Sequence, residues 1–141
     1  MLSTVINING ELYNKNLDYF KQMPGKLFKK LKAFSTNRGT VSQMMLAVFN
    51  MRQYVDWSNV TEEEVEAFLS ALNNNPDNRG IQNIGMYMAL ALAEHEKSAG
   101  ITARLGGVHT IVSSLHTFIK TPSIVLDNGI YFLSLMAKNS A

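Results

Sequence analysis

Cysteine is absent from this 141-residue chain, which excludes a disulfide framework, a cysteine nucleophile and thiolate metal sites. Charge is sparse, at 17% of residues against 46% apolar, so the composition is that of a packed core rather than of a disordered chain. The net charge of +2 is too small a bias to point to nucleic acid by itself. No long apolar run is present: the longest, Ile84 to Ala93, is about half of a membrane span, so no integral membrane segment is expected. Met1 to Asn16 lack the basic start and unbroken apolar stretch of a signal peptide. The expectation is one soluble, mostly helical, intracellular domain, cytoplasmic or nuclear, since the length suits one domain and not two.

Catalytic sets are missing as well. The three histidines are His95, His109 and His116; the last two lie two turns apart on one expected helix, not at the i, i+4 spacing that zinc would favour. The one acidic cluster, Glu62, Glu63, Glu64 and Glu66 with Asp56 just before it, falls in the first turns of a helix, where carboxylates suit the positive end of the helix dipole. Gly106-Gly107 has neither the strand nor the lysine of a phosphate loop. Asn59-Val60-Thr61 matches a glycosylation acceptor, but nothing else suggests secretion. No enzyme activity, cofactor or metal is expected.

What is present is self-similarity. Asn37-Arg38-Gly39 recurs as Asn78-Arg79-Gly80, and each triplet opens an apolar run: Val41 to Val55 and Ile81 to Glu94. A third run, Ile124 to Ala137, follows at a spacing of about 43 residues, with Met86-Tyr87 matching Ile130-Tyr131. Each run is preceded by an amphipathic helix: Gly25 to Phe34, Thr61 to Leu72, and Gly107 to Phe118. Leu31 and Phe34 correspond to Leu115 and Phe118, and Thr61 with Glu64 forms a capping box. Pro76 and Pro122 fall in the links between paired helices. Any helical bundle can look periodic, but here the breakers repeat along with the apolar spacing. A period near 42 with two or three helices per unit indicates an α-solenoid.

The segment Ala91 to Ala137 resembles an armadillo repeat. It reads Leu92-Ala93, a polar link from Glu94 to Gly100, a small helix from Ile101 to Leu105, and Gly106-Gly107-Val108. An apolar helix through Ile111, Val112 and Leu115 follows, then Pro122 to Val125 and a third helix through Tyr131 and Leu135. In the middle unit Trp57 to Thr61 replaces the glycine pair, and in the first Gly25 stands alone after Pro24, with Asn16 to Met23 as the small helix. The resemblance implies an all-α, right-handed solenoid of about three units, approximately 16–55, 56–95 and 96–141; residues 1–15 stand apart from it and read, from their own pattern, as an N-terminal arm or cap. Thr4 to Glu11 alternates as an extended segment would, with Asn9-Gly10 offering a turn.

The resemblance also implies that the third helix of each unit lines a concave groove that takes a partner protein or extended peptide. The family's protruding Trp aligns here with Leu46, Tyr87 and Tyr131, and its Asn with Asn50, Ala91 and Leu135, so no unit carries both. The stripes at helical spacing are Ser42, Leu46, Asn50, Tyr54; Asn83, Tyr87, Ala91, His95; and Asp127, Tyr131, Leu135, Asn139. Asn50, Tyr54, Asn83, Tyr87, His95, Asp127 and Tyr131 are the candidate partner-binding residues. Tyrosine flanked by amides suits a protein surface; equally, the tyrosines could roof the core with their hydroxyls in water.

Two further features admit other functions. Lys26, Lys29, Lys30, Lys32 and Arg38 form a basic patch within an acid-free stretch that begins at Lys21. It could attract nucleic acid or an anionic membrane. The favoured reading sets these lysines against the glutamates of Thr61 to Leu72 in the next unit, so nucleic acid is not the expected partner. The helix Ile124 to Ala137 is apolar on most sides, which points to a longer array or to a homo-oligomer through residues 124–137. Methionines at 44, 45, 51, 86, 88 and 136 would make such a core adaptable.

Overall fold

The computed structural model describes residues 10–120 and 124–139, the side chains of residues 10–15 and 124 excepted. Seven α-helices occupy these residues: α1 Gly10–Ala33, α2 Arg38–Asn50, α3 Glu62–Asn73, α4 Arg79–Ala93, α5 Glu96–Arg104, α6 Gly107–Phe118 and α7 Ile124–Asn139. Two single-turn 3-10 segments, Arg52–Tyr54 and Trp57–Asn59, join α2 to α3, and no strand is present among the described residues. The all-α class is as expected.

The repeated Asn-Arg-Gly triplets are helix starts. Asn37 accepts a hydrogen bond from the backbone of Thr40 at 3.1 Å, and Asn78 accepts one from Ile81 at 3.0 Å. Each satisfies a donor left free at a helix N-terminus, worth about 1 kcal/mol. At α3 the capping box closes in both directions: Glu64 N–H donates to the Thr61 hydroxyl, and Thr61 N–H to the Glu64 carboxylate.

Packing follows two lines. α1 packs on α3 and α3 on α6; α2 packs on α4 and α4 on α7. One apolar core runs through both lines, with Phe28, Leu31, Met45, Phe68, Leu72, Met86, Leu92, Ile111 and Phe132 buried in it. The α3–α4 contact recurs in the α6–α7 contact. A Cβ on Gly85 would lie 2.3 Å from Leu72 Cδ2, and one on Gly129 would lie 2.4 Å from Leu115 Cδ2. Only glycine lets the leucine approach so closely. In the register of the Asn caps, Leu31 keeps the leucine of this contact and Met44 stands where the glycine would be.

Polar groups cross the same lines. The Asn75 side chain, fully buried, donates to the carbonyls of Ser35 and Ala71, both at 2.8 Å. The Gln82 amide donates to the carbonyls of Asn75 at 2.9 Å and Leu72 at 3.1 Å, and the Ser114 hydroxyl donates to Gln82 Oε1 at 2.7 Å. This ladder runs from the end of α1 to the middle of α6. Three exposed ion pairs add to it: Lys32–Glu66, Arg38–Asp77 and Arg104–Glu62. Each is worth well under about 1 kcal/mol.

The structure corrects several sequence expectations. The separate helix expected over Asn16 to Met23 does not exist: α1 runs unbroken through Pro24. The extended reading of Thr4 to Glu11 fails at Gly10 and Glu11, which are helical; residues 1–9 lie outside the described part. The run Val41 to Val55 is helical only to Asn50, then turns. The polar link Glu94 to Gly100 is mostly α5, which starts at Glu96; within it the Ser98 hydroxyl donates back to the carbonyls of Leu92 and His95.

Candidate functional site

The face built by α2, α4 and α7 carries most of the candidate residues. Leu46, Tyr87 and Tyr131 are all exposed, one on each helix, at positions that the repeat aligns. Asn50 and Asp127 are exposed beside them, and Asn83 is half-buried. Tyr87 does not stand alone: its ring lies 5.4 Å from that of Phe49 on α2, and the Arg52 guanidinium sits 4.2 Å from the Phe49 centroid. Arg52 also donates to the Phe49 carbonyl at 2.9 Å. Arg52, Phe49 and Tyr87 therefore form a short ladder of cation and rings between α2 and α4, stiff because each member packs on the next.

Two candidates fall elsewhere. Tyr54 lies past the end of α2 and stacks on Phe20 of α1, with ring centroids 5.5 Å apart and planes at 23°. It braces α1 and does not continue the α2 stripe, because the chain leaves the helix at Met51. His95 is exposed and lies beyond the last residue of α4, as the N-cap of α5. Its carbonyl accepts from Ala99 N–H at 2.8 Å. Asn139 closes the far end of the face by donating to the Ala93 carbonyl at 2.9 Å. On the same helices, Asn83 Oδ1 and Asn128 Nδ2 are shut off from solvent without a hydrogen-bond partner among the described residues.

Comparisons with protein-family models, with curated proteins and with solved structures found no match to this chain. The site has therefore to be read from its own geometry. Among the described residues no group of three or more His, Asp or Glu could hold a metal ion, and no helix is long and apolar enough to cross a membrane. An open hollow beside α5 is lined by Glu62, Glu96, Lys97, Gly100, Ile101 and Arg104, and three of its four charges are engaged within the fold. Arg104 pairs with Glu62, and Lys97 donates to Asn59 at 3.1 Å. A smaller cavity of about 170 Å³ lies between α3 and α6. There Thr110 donates to Asn73 at 3.0 Å and Ser114 to Gln82.

The basic patch divides into two parts. Lys32 reaches Glu66 on α3 at 2.7 Å, and Arg38 reaches Asp77 in the turn between α3 and α4 at 2.8 Å. Lys26, Lys29 and Lys30 are exposed on α1 and make none of the ion pairs seen among the described residues. On α7 the apolar character has a direction. Val125, Gly129, Phe132 and Met136 are buried, while the outer side mixes Asp127, Ser134 and Lys138 with Ile130 and Tyr131. The sequence did not single out Phe49, which packs on Tyr87, or Arg52, which packs on Phe49. An aromatic and a cation three residues apart at a helix end was the available signal.

Proposed function

We propose that the chain is a non-enzymatic protein-binding scaffold, an armadillo-like solenoid of three stacked units that takes a partner segment along the α2, α4 and α7 face. The observation that carries this reading is the row of Leu46, Tyr87 and Tyr131, exposed at repeat-equivalent positions on successive helices. The leucine–glycine contact found at Leu72–Gly85 and again at Leu115–Gly129 supports the stacking, as do the ion pairs that link neighbouring units. Large, rigid side chains spaced along a row suit an extended segment, which can place one side chain against each helix. The Arg52–Phe49–Tyr87 ladder holds the central tyrosine in place before binding, which lowers the ordering cost.

The test is selection of extended peptides from a randomised display library on the wild-type chain, followed by affinity measurement on variants. Peptides are expected to lose about 2 kcal/mol, or some thirtyfold in Kd, with Tyr87→Ala or Tyr131→Ala. They are expected to bind Lys29→Glu unchanged. Peptides indifferent to both tyrosines, or no enrichment at all, would sink the reading.

A further inference from the structure

The two leucine–glycine contacts align α3 with α6 and α4 with α7 residue by residue. In that register Val108 and Val112 occupy the places of Val65 and Leu69, and Ile130 that of Met86. The earlier three are 1%, 4% and 0% exposed, because α5, α6 and α7 pack over α3 and α4. The later three are 38%, 37% and 62% exposed. The last unit thus keeps apolar side chains at positions where the middle unit receives its neighbour. Ile119, exposed, and Leu133, half-buried, extend the strip at helical spacing along the same sides of α6 and α7. An end that faced only water would carry polar residues here.

The opposite end is built differently. Thr110 and Ser114 of α6 face the preceding unit, where they bond Asn73 and Gln82. Their counterparts on α3 are Ala67 and Ala71, both buried. The counterparts on α1 are Lys26 and Lys30, exposed and without an ion-pair partner among the described residues. Small residues seat a unit on its predecessor, and lysines at those places close the array. Head-to-tail stacking of two copies would press Lys26 and Lys30 onto an apolar strip beside which α6 and α7 carry one carboxylate, Asp127, too few to pair both lysines.

From these two ends we propose that the α6–α7 end is a self-association surface, and that two copies of the chain join there tail to tail about a two-fold axis. The same apolar strip then meets itself, and the contact closes at two copies, because the lysine-bearing ends point away. A second copy suits the strip better than a polar partner. The strip residues are uncharged, as in homodimer cores, and the chain already uses these positions to hold its own units together. The proposal rests on the stacked-unit reading and not on the α2, α4 and α7 face.

The test is mass in solution by light scattering, from low micromolar to near-millimolar chain, with far-UV circular dichroism to confirm folding. Wild type is expected to move from 15.7 kDa to twice that mass and no further. Ile130→Glu should weaken the dimer at least about a hundredfold, through two buried unpaired carboxylates. Val112→Ser, a milder change at an exposed site, should weaken it less while keeping the fold. Lys26→Glu and Tyr87→Ala should leave it intact. A monomer at every concentration overturns the proposal, as does a dimer indifferent to Ile130→Glu and Val112→Ser. An open-ended series of species, or a dimer strengthened by Lys26→Glu, would overturn it in favour of head-to-tail contact. Failure of the stacked-unit reading would appear separately, in the distances between α2, α4 and α7.

Discussion

The chain breaks at Gly106-Gly107 and runs straight through Pro24-Gly25. At Gly106 the backbone is left-handed, with φ of 85°, the one positive φ among the described residues. The next residue then sits against Thr102: a Cβ on Gly107 would lie 2.4 Å from Thr102 Cγ2 and 2.8 Å from its carbonyl oxygen. One glycine supplies the turn and the other the close approach, so α5 and α6 separate. At the first site Pro24 removes one backbone donor, yet it is buried within α1 and the helix continues across it. Gly25 meets only Glu64 Oε2, at 3.5 Å from the place of a Cβ. A proline and a lone glycine do not end a helix that packs on α3, on α2 and on the turn after α2. The glycine pair does, because its conformation and its neighbour require the break.

Substitutions can break this comparison or sharpen it, with stability read from urea unfolding. Gly107→Ala should have the largest effect, a loss of about 3 kcal/mol, since the new methyl meets backbone that cannot yield. Gly85→Ala and Gly129→Ala should each cost about 2 kcal/mol and agree within about 1, because each methyl meets the same atom of an equivalent leucine. Markedly different costs would mean that the two helix pairs are not equivalent. Gly106→Ala should cost about 1 kcal/mol through the left-handed φ alone. Gly25→Ala should act in the opposite sense, stabilising by roughly 0.7 kcal/mol, as expected of an unconstrained glycine inside a helix. A loss there would mean that the first unit also needs its glycine. The smallest effect belongs to Lys32–Glu66, where a double-mutant cycle should give a coupling under about 0.5 kcal/mol that fades in high salt.

Much of the helix order was legible in the residues. Thr61 and Glu64 announce the start of α3 through their own side-chain chemistry, and the Asn-Arg-Gly triplets mark two further starts 41 residues apart. That lysines of α1 would meet glutamates of α3 followed from placing equivalent helices side by side; which lysine does so, Lys32, did not. What escaped was decided by packing between elements distant in sequence. Nothing local shows that α3 holds α1 together across Pro24, or that Phe20 draws Tyr54 away from the α2 stripe. Trp57 fills the place of the missing glycine pair by setting its ring edge-on to Phe28 at 5.8 Å and bonding the Arg52 carbonyl. The ladder through Asn75, Gln82 and Ser114 was unreadable for the same reason: its donors and acceptors come from separate helices and turns and meet only in the core. At the candidate site the Leu46, Tyr87 and Tyr131 row came from the armadillo resemblance, which aligns one position on each of the three helices; helix period by itself did not single it out.

Both the proposed binding face and the proposed dimer require that α2, α4 and α7 stack in one row. The absence of cysteine makes its direct measurement clean: nitroxide labels at residues 46, 87 and 131 in pairs, with distances from electron spin resonance. Neighbouring packed helices lie about 10 Å apart. In a stacked row the 46–131 backbone separation should be about 20 Å, close to the sum of the 46–87 and 87–131 separations. Three similar distances near 10 Å would instead describe a closed three-helix arrangement and contradict the stacked units.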